Sequence, residues 1–332
     1  MTSPTTELVR ALCAGAVVAT VGWSSPALAD CICPAESVIG CGHRGTGQSG
    51  PGDPFPENTL PSIQQAANEG ADMVEIDVVH SADGVLVVIH DDRVDRTTDG
   101  SGCVGHLTLA ELQALDAAEG TALAGQGVTI PTLAEVLAAV DVAINVELKM
   151  NGVPSCPDAD KPAMAADVVS AIQGDSADRD IVVSSFDADV LTEVEQLDPT
   201  IHTGLITLNP SDAQLAQERG FDALNPRAGA GDETVVQDVH GLGLALNVWT
   251  ENDPERMKAL IGFGVDMIIT DEPDVFATVR VETCEQLTCP DASSAEDSGG
   301  CAVRDAPHHA PRGPWWLVLG GLWLGLGRRS RS

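Results

Sequence analysis

The 332-residue sequence has no tyrosine, and its phenylalanines and tryptophans bring the aromatic share to only 3%. So few rings cannot build the broad apolar rim that gripping a lipid requires. Cations are scarce as well: 17 Lys and Arg stand against 50 Asp and Glu, a formal net charge of −33. That balance argues against nonspecific nucleic-acid binding, which needs a basic surface, and it favours solubility. Any site for an anion must therefore carry its own local cations or a metal ion. No G-x-G-x-x-G opens a helix after the first apolar run, which argues against dinucleotide binding. Cys31-Ile32-Cys33 has no companion pair with histidines at finger spacing, so it does not read as a zinc site.

Both ends read as processing signals. Arg10, the apolar run Ala11–Trp23 and Ser24-Ser25-Pro26-Ala27-Leu28-Ala29 describe a secretory signal peptide over 1–29. Residues 290–314 are rich in Ser, Gly, Pro and His and contain Cys301, the composition of a flexible stalk. Residues 315–332 hold an apolar stretch, Trp315–Gly327, and then Arg328, Arg329 and Arg331. As a helix that stretch rises about 20 Å, short of a hydrocarbon core of about 30 Å. It reads as a marginal span with its positive end inside, or as a helix packed on the domain. The stalk, short apolar helix and Arg cluster together resemble the C-terminal sorting tags of myxobacterial surface proteins. That resemblance implies membrane attachment or sorting, so the expected location is the cell surface, the outer membrane or the extracellular space.

Between these ends, residues 30–289 are long enough for one large domain. Of nine cysteines, Cys13 leaves with the signal, and an exported chain favours disulfides among the rest. Cys31 and Cys33 face Cys284 and Cys289 from opposite ends of the domain, so cross-pairing would staple its termini, with the connectivity open. Cys103 and Cys156, both in loops after strands, are expected to pair, and Cys41, inside an apolar run, to be a free buried thiol.

Within the domain, short β-branched runs alternate with amphipathic segments. The runs are Ser37–Cys41, Met73–Val79, Val85–Ile89, Ala143–Leu148, Ile181–Ser185, Thr203–Ile206, Ala223–Asn225, Leu244–Trp249 and Met267–Thr270. Most are near-continuous Val, Ile and Leu, as parallel strands buried on both faces require. Helical patterning fills Leu60–Glu69, Leu109–Leu115, Thr132–Val140, Met164–Ile172, Ala188–Leu197, Asp212–Arg219, Thr234–His240 and Pro254–Phe263. Asp83-Gly84 predicts a hairpin joining the second and third runs. One of those two is then an accessory strand, which leaves eight β/α units. The expected fold is α/β, a TIM-like (β/α)8 barrel with small loop insertions, and an open doubly wound sheet is the alternative.

Polar residues gather where these strands end, the face on which barrel enzymes carry their sites. Glu75 and Asp77 alternate on one strand and Glu147 and Lys149 on the next, so each pair projects to one face. Three converging carboxylates repel unless neutralised, and a hard divalent cation, Ca²⁺ or Mg²⁺, is the economical solution. His43 and His90 stand beside the cluster and can divide general-acid and general-base work. Arg44 and Lys149 are the cations at hand for phosphate oxygens. His80, His106, His202 and His240 read as structural.

The ordered set His43-Arg44-Gly45, Glu57-Asn58-Thr59, Glu75-x-Asp77, Asp83-Gly84, His90-Asp91, Arg96-Thr97-Thr98, Glu147-x-Lys149, Ser184-Ser185-Phe186, Trp249-Thr250 and Thr270-Asp271-x-Pro273 resembles the glycerophosphodiester phosphodiesterase family. The resemblance runs from Ser37 to Phe276. It implies a β/α barrel that hydrolyses small glycerophosphodiesters to sn-glycerol 3-phosphate and an alcohol. By matching position it implies a metal on Glu75, Asp77 and Glu147, acid–base catalysis by His43 and His90, and phosphate contacts from Arg44 and Lys149. Trp249 would line the pocket near the glycerol, or else be a core aromatic. Glu57 would sit beside the metal or hold the first loop. The segment 47–52 and the insertion 152–161 lengthen two loops at the mouth. A phospholipase-D-like enzyme on lysolipids or sphingolipids, and a surface binding protein without turnover, are the competing readings. The polar insertions disfavour the first, and the paired histidines disfavour the second.

Overall fold

A computed structural model of the chain describes residues 33–286, apart from 151, 153, 157, 158 and 178. The expected signal segment, stalk and apolar tail, with Cys31, Cys289 and Cys301, lie outside the described residues. The strands are β1 (Ile39–Gly42), β2 (Met73–His80), β3 (Leu86–Val88), β4 (Ala143–Leu148), β5 (Ile181–Ser185), β6 (His202–Thr207), β7 (Ala223–Pro226), β8 (Ala245–Val248) and β9 (Met267–Thr270). Strand β1 pairs with both β2 and β9, and every pairing around the ring is parallel. The sheet therefore closes as an eight-stranded barrel, and the open-sheet alternative falls. Strand β3 lies outside the ring, antiparallel to β2, with Gly84 taking the positive φ of 78° in the connecting turn.

The helices are α1 (Leu60–Asn68), α2 (Leu109–Leu112), α3 (Leu133–Ala139), α4 (Lys161–Gly174), α5 (Ala188–Leu197), α6 (Ala213–Arg219), α7 (Glu233–Gly241), α8 (Pro254–Phe263) and α9 (Pro273–Gln286). Thr132 caps α3 and Thr108 caps α2, each in a reciprocal box with a Glu three residues on. No helix among the described residues is long and apolar enough to cross a membrane.

The period-2 alternation of the strands divides the core. On β2, Val74, Ile76 and Val78 face the helix layer, against residues such as Ile63 and Leu133. Met73 points the other way and packs inside the ring with Cys41, Val182, Met267 and Ile269. Glu75 and Asp77 continue that inward face above this apolar plug. The plug closes the bottom of the barrel, so the polar residues above it open only toward the C-terminal ends of the strands.

Helix α9 has no clear signature in the sequence, because its apolar residues do not form one stripe and Val281 is 58% exposed. Its main anchor is the Phe276 ring, which is fully buried and occupies the space where a side chain at Gly40 would be, with Val279 buried beside it. Gly40→Ala must push that ring aside, and a cost of about 1–3 kcal/mol is expected for such overpacking, read as a lower urea midpoint at unchanged slope.

Disulfides reinforce the same closure. Cys33 bonds to Cys284 on α9, 251 residues away, and Cys103 bonds to Cys156, 53 residues away, while Cys41 is free and buried. Replacing Cys33 and Cys284 by serine should cost up to about 5 kcal/mol through the loop-closure entropy returned to the unfolded chain. A thermal scan of the double variant checks this, and an unchanged Tm would contradict it.

Candidate active site

Strands β2 and β4 place Asp77 beside Glu147 in register, with Glu75 one step below on the same face. Each of the three carboxylates offers an oxygen, and these oxygens lie within 4.8 Å of one another. Their other contacts are incomplete. Glu75 Oε2 accepts the backbone N–H of Arg44 at 2.9 Å, and its Oε1 is buried with no hydrogen-bond partner. Asp77 Oδ2 accepts from Asn58 Nδ2 at 2.7 Å, whereas Oδ1 has only the Lys149 ammonium at 3.4 Å. Glu147 accepts from Lys149 Nζ at 2.6 Å. Buried oxygens rarely stay unpaired. A hard cation fits this donor set, since it takes oxygen ligands and would satisfy both orphans at once.

The electrostatics point the same way. Burial, then the charges of Asp77 and Glu147, push the Glu75 carboxyl well above the usual carboxylate range. Burial would raise Asp77 too, but Lys149 and Arg44 outweigh it and hold that carboxyl well below the usual range. Lys149 is itself buried, which favours the neutral amine, yet Asp77 and Glu147 keep it charged. Without a cation, burial and mutual repulsion push both Glu75 and Glu147 above the usual carboxylate range, Glu75 the further.

Two consequences follow for pH. Glu75's raised folded pKa contributes stability that is fully present below its ordinary range and is lost as pH rises through the raised value. Asp77, Glu57 and Asp271, all depressed, contribute stability above the ordinary carboxylate range that is lost as pH falls through their lowered values. The cation-free protein is therefore expected to be most stable in mild acid. Added Ca²⁺ or Mg²⁺ should move that optimum upward, because the ion must displace the Glu75 proton. Tm measured against pH with chelator and with cation checks both signs.

A strained loop carries the first cation. Arg44 and Asn58 both adopt left-handed backbone, φ 52° and 56°, and both are buried. This conformation is costly for arginine. Here it aims the Arg44 N–H at Glu75 and sets its Nη1 2.8 Å from Glu57. Gly45, at φ 93°, follows because a Cβ there would meet the Ser62 backbone at 2.6 Å. Glu57 has its oxygens engaged by cations and a backbone N–H. It receives a two-pronged bond from Arg96, both arms 2.7 Å, and the Ser49 N–H at 2.7 Å, so it ties the first loop to Arg44. Asn58 brackets Asp77, donating to Oδ2 and accepting the Asp77 backbone N–H at 3.2 Å.

Each pocket histidine is oriented by a carboxylate. His43 Nδ1 lies 2.7 Å from Asp271, which Asn252 holds from the far side at 2.7 Å. His90 Nδ1 lies 2.6 Å from Asp91, which Arg96 grips through Nε at 2.6 Å. An ionised carboxylate can only accept, so Nδ1 donates to it and Nε2 is the nitrogen left for proton exchange. Both histidines line a cavity of about 250 Å³ with Arg44, Glu75, Glu147 and Lys149 on one side and Phe186 and Trp249 on the other. Trp249 Nε1 donates to the Asn225 carbonyl at 2.7 Å, and its ring meets Phe186 edge-on with centroids 5.6 Å apart. A second hollow of about 380 Å³ adjoins it beside His90, walled by Asp92, Arg93, Met150 and Phe186.

The structure thus gathers His43, His90, Glu75, Asp77, Glu147, Arg44, Lys149 and Trp249 at one mouth, with Glu57 just behind. The other described histidines with assigned partners lie elsewhere: His80 pairs with Asp167, His202 with Asp222 and His240 with Asp266. Asp271, Asp91, Arg96, Asn58 and Asn252 had no role assigned from the sequence. A carboxylate just after a strand end was the signal available for the first two. Asn145, two residues before Glu147, was legible from alternation. Asn225 and Arg227 carried no signal.

Comparison with known proteins comes to the same fold and family. Residues 43–275 match the profile described as the glycerophosphoryl diester phosphodiesterase family. The chain is 34% identical over 239 residues to a glycerophosphodiester phosphodiesterase of Caldanaerobacter subterraneus subsp. tengcongensis, covering 70% of this chain and 93% of that protein. It is 32% identical over 237 residues to one from Bacillus altitudinis, covering 69% and 94%. Among solved structures, an Oleispira antarctica phosphodiesterase in complex with the product sn-glycerol-3-phosphate superposes with TM-score 0.64 at 29% identity, over 74% of this chain and 98% of that one.

Proposed function

Because the chain belongs to the glycerophosphoryl diester phosphodiesterase family, and is thereby a phosphodiesterase of glycerophosphodiesters, we propose that it works with a divalent cation and a pair of histidines. Glu75, Asp77 and Glu147 would hold the cation. His43 and His90 would exchange protons with the attacking and leaving oxygens. The observation that carries this reading is the pair of buried, unpartnered oxygens on Glu75 and Asp77, converging with Glu147 between two carboxylate-oriented histidines.

Oxygen ligands alone suit Ca²⁺ or Mg²⁺. When bound, such an ion supplies Lewis acidity that offsets the charge of the phosphate. The remaining work falls to side chains. Arg44 and Lys149 spend part of their donors on Glu57, Asp77 and Glu147, and their other N–H groups can reach phosphoryl oxygens as charge develops. One histidine, neutral, accepts a proton at Nε2 from the attacking oxygen, and the other, entering the step as the imidazolium, gives its Nε2 proton to the departing alcohol. Trp249, its indole N–H already committed, offers a ring face to the carbon skeleton of the glycerol. The small cavity favours deacylated diesters over lysolipids.

Export is part of the same proposal. The two disulfides support a location outside the cytoplasm, and residues 315–332 would sort or attach the protein at the surface. Substrate class is tested by offering glycerophosphocholine and lysophosphatidylcholine in parallel and identifying the products. Release of sn-glycerol 3-phosphate and choline from the first is expected. Turnover of the lysolipid alone would overturn the assignment.

A further inference from the structure

Arg227 is an unusual cation in this domain. The described residues include eleven Lys and Arg, and eight of them have a carboxylate within 4.0 Å: Arg44, Arg93, Arg96, Lys149, Lys161, Arg179, Arg219 and Arg280. Where acids so outnumber bases, such pairing is the default. Arg256, Lys258 and Arg227 lack it, and Arg256 is occupied by the carbonyls of Ala228 and Gly231. Of these three only Arg227 lines the catalytic cavity. The two cations already assigned to phosphate, Arg44 and Lys149, are largely offset by the carboxylates they touch. Arg227 therefore carries the uncompensated positive charge of the pocket wall among the described residues.

It is also held in place. The backbone of Arg227 bridges to that of Trp249, with the Trp249 N–H on the Pro226 carbonyl at 3.1 Å and the Ala228 N–H on the Trp249 carbonyl at 2.7 Å. Its guanidinium stacks over the Trp249 ring, 5.4 Å from the centroid. Stacking on an aromatic face leaves the in-plane N–H fork free to bind a second, planar or tetrahedral anion. Around the ring of strands, β7, which ends just before Arg227, stands opposite β2 with its metal carboxylates. The guanidinium is thus across the cavity from the reacting phosphate, at the end where Trp249 would meet the glycerol.

We propose that Arg227 is a specificity-determining residue that recognises a second anionic group on the glycerol moiety, so that the preferred substrates are glycerophosphodiesters whose glycerol carries a further phosphate at its other end. The inference rests on the functional reading above, because that reading fixes which end of the cavity holds the glycerol. An exposed guanidinium–phosphate contact of this kind is worth roughly a factor of ten in affinity, and it weakens with salt.

The test compares two inhibitors of glycerophosphocholine turnover, sn-glycerol 3-phosphate and glycerol 1,3-bisphosphate, on wild type, Arg227→Gln and Arg227→Lys. Their ratio is the readout, so a general loss of affinity or of folded protein cancels. Wild type should bind the bisphosphate about tenfold more tightly at low salt. The ratio should fall to about one in Arg227→Gln and recover in part in Arg227→Lys. A ratio that Arg227→Gln leaves unchanged would overturn the proposal, and so would equal weakening of both anions, which would place Arg227 on the reacting phosphate. Calorimetric titration of the same two compounds gives the ratio without turnover. An inactive wild type that still discriminates between them would therefore sink the reaction assignment and leave the recognition role standing.

Discussion

Replacing His90 by alanine is expected to lower kcat for glycerophosphocholine by about 10²–10⁴-fold, with KM little changed. The imidazole lines the cavity beside the triad, and with Nδ1 held by Asp91 its Nε2 is the nitrogen left to move a proton. His43, in the same cavity, is fixed the same way by Asp271, so His43→Ala should cost a similar factor. Because the two act in one proton circuit, the double variant should be little worse than either single one. Asp271→Asn and Asp91→Asn keep the size of the partner and remove the charge that fixes the tautomer. A smaller loss is expected from each, accompanied by a shifted pH–rate profile. A purely structural partner would lower the folded fraction and leave the profile unmoved.

Glu75→Gln is expected to remove cation-dependent activity altogether while making the cation-free protein more stable. The two effects have one cause. In the absence of an ion, Glu75 is buried beside Asp77 and Glu147, and its raised pKa measures the cost of ionising it there. Glutamine has the shape of the protonated acid and avoids that cost. It also loses the negative charge that draws a cation into the triad, so Ca²⁺ or Mg²⁺ affinity should fall by roughly 10²-fold or more. Calorimetric titration gives the affinity, and urea midpoints at neutral pH with chelator give the stability. Asp77→Asn should behave differently. Its carboxylate is stabilised by Lys149 and Arg44, so removing it leaves two buried cations undercompensated and should destabilise even the cation-free protein.

The barrel was legible in the sequence because buried parallel strands need unbroken apolar runs, and those runs also fix where each strand ends. Asp83-Gly84 marked the hairpin and hence one accessory strand, and the pairing shows that strand to be β3. Helix α9 escaped because its anchors, Phe276 against Gly40, Val279 and the disulfide at Cys284, do not line up as an amphipathic stripe. The convergence of Glu75, Asp77 and Glu147 followed from alternation on adjacent strands. What alternation cannot reveal is which neighbours orient a catalytic group across the ring. Asp271 reaches His43 from 228 residues away, and Arg96 reaches Glu57 from a loop 39 residues on. Glu57 had two roles open, beside the metal or within the first loop, and the partners that bear on them, Arg44, Arg96 and Ser49, are visible only in three dimensions. Arg227 illustrates the same limit, since its lack of a carboxylate partner is visible only once every other described cation is seen to have one or to lie away from the pocket.

The central claim is that a cation on the β2–β4 carboxylates drives hydrolysis at this mouth. The most direct measurement is release of sn-glycerol 3-phosphate from glycerophosphocholine by chelator-stripped protein, followed as Ca²⁺ or Mg²⁺ is titrated back. Activity near zero when stripped, rising with cation in wild type and flat in Glu75→Gln, is the predicted result. Stripped wild type that turns over at the full rate, or a Glu75→Gln variant that responds to cation as wild type does, would contradict the account.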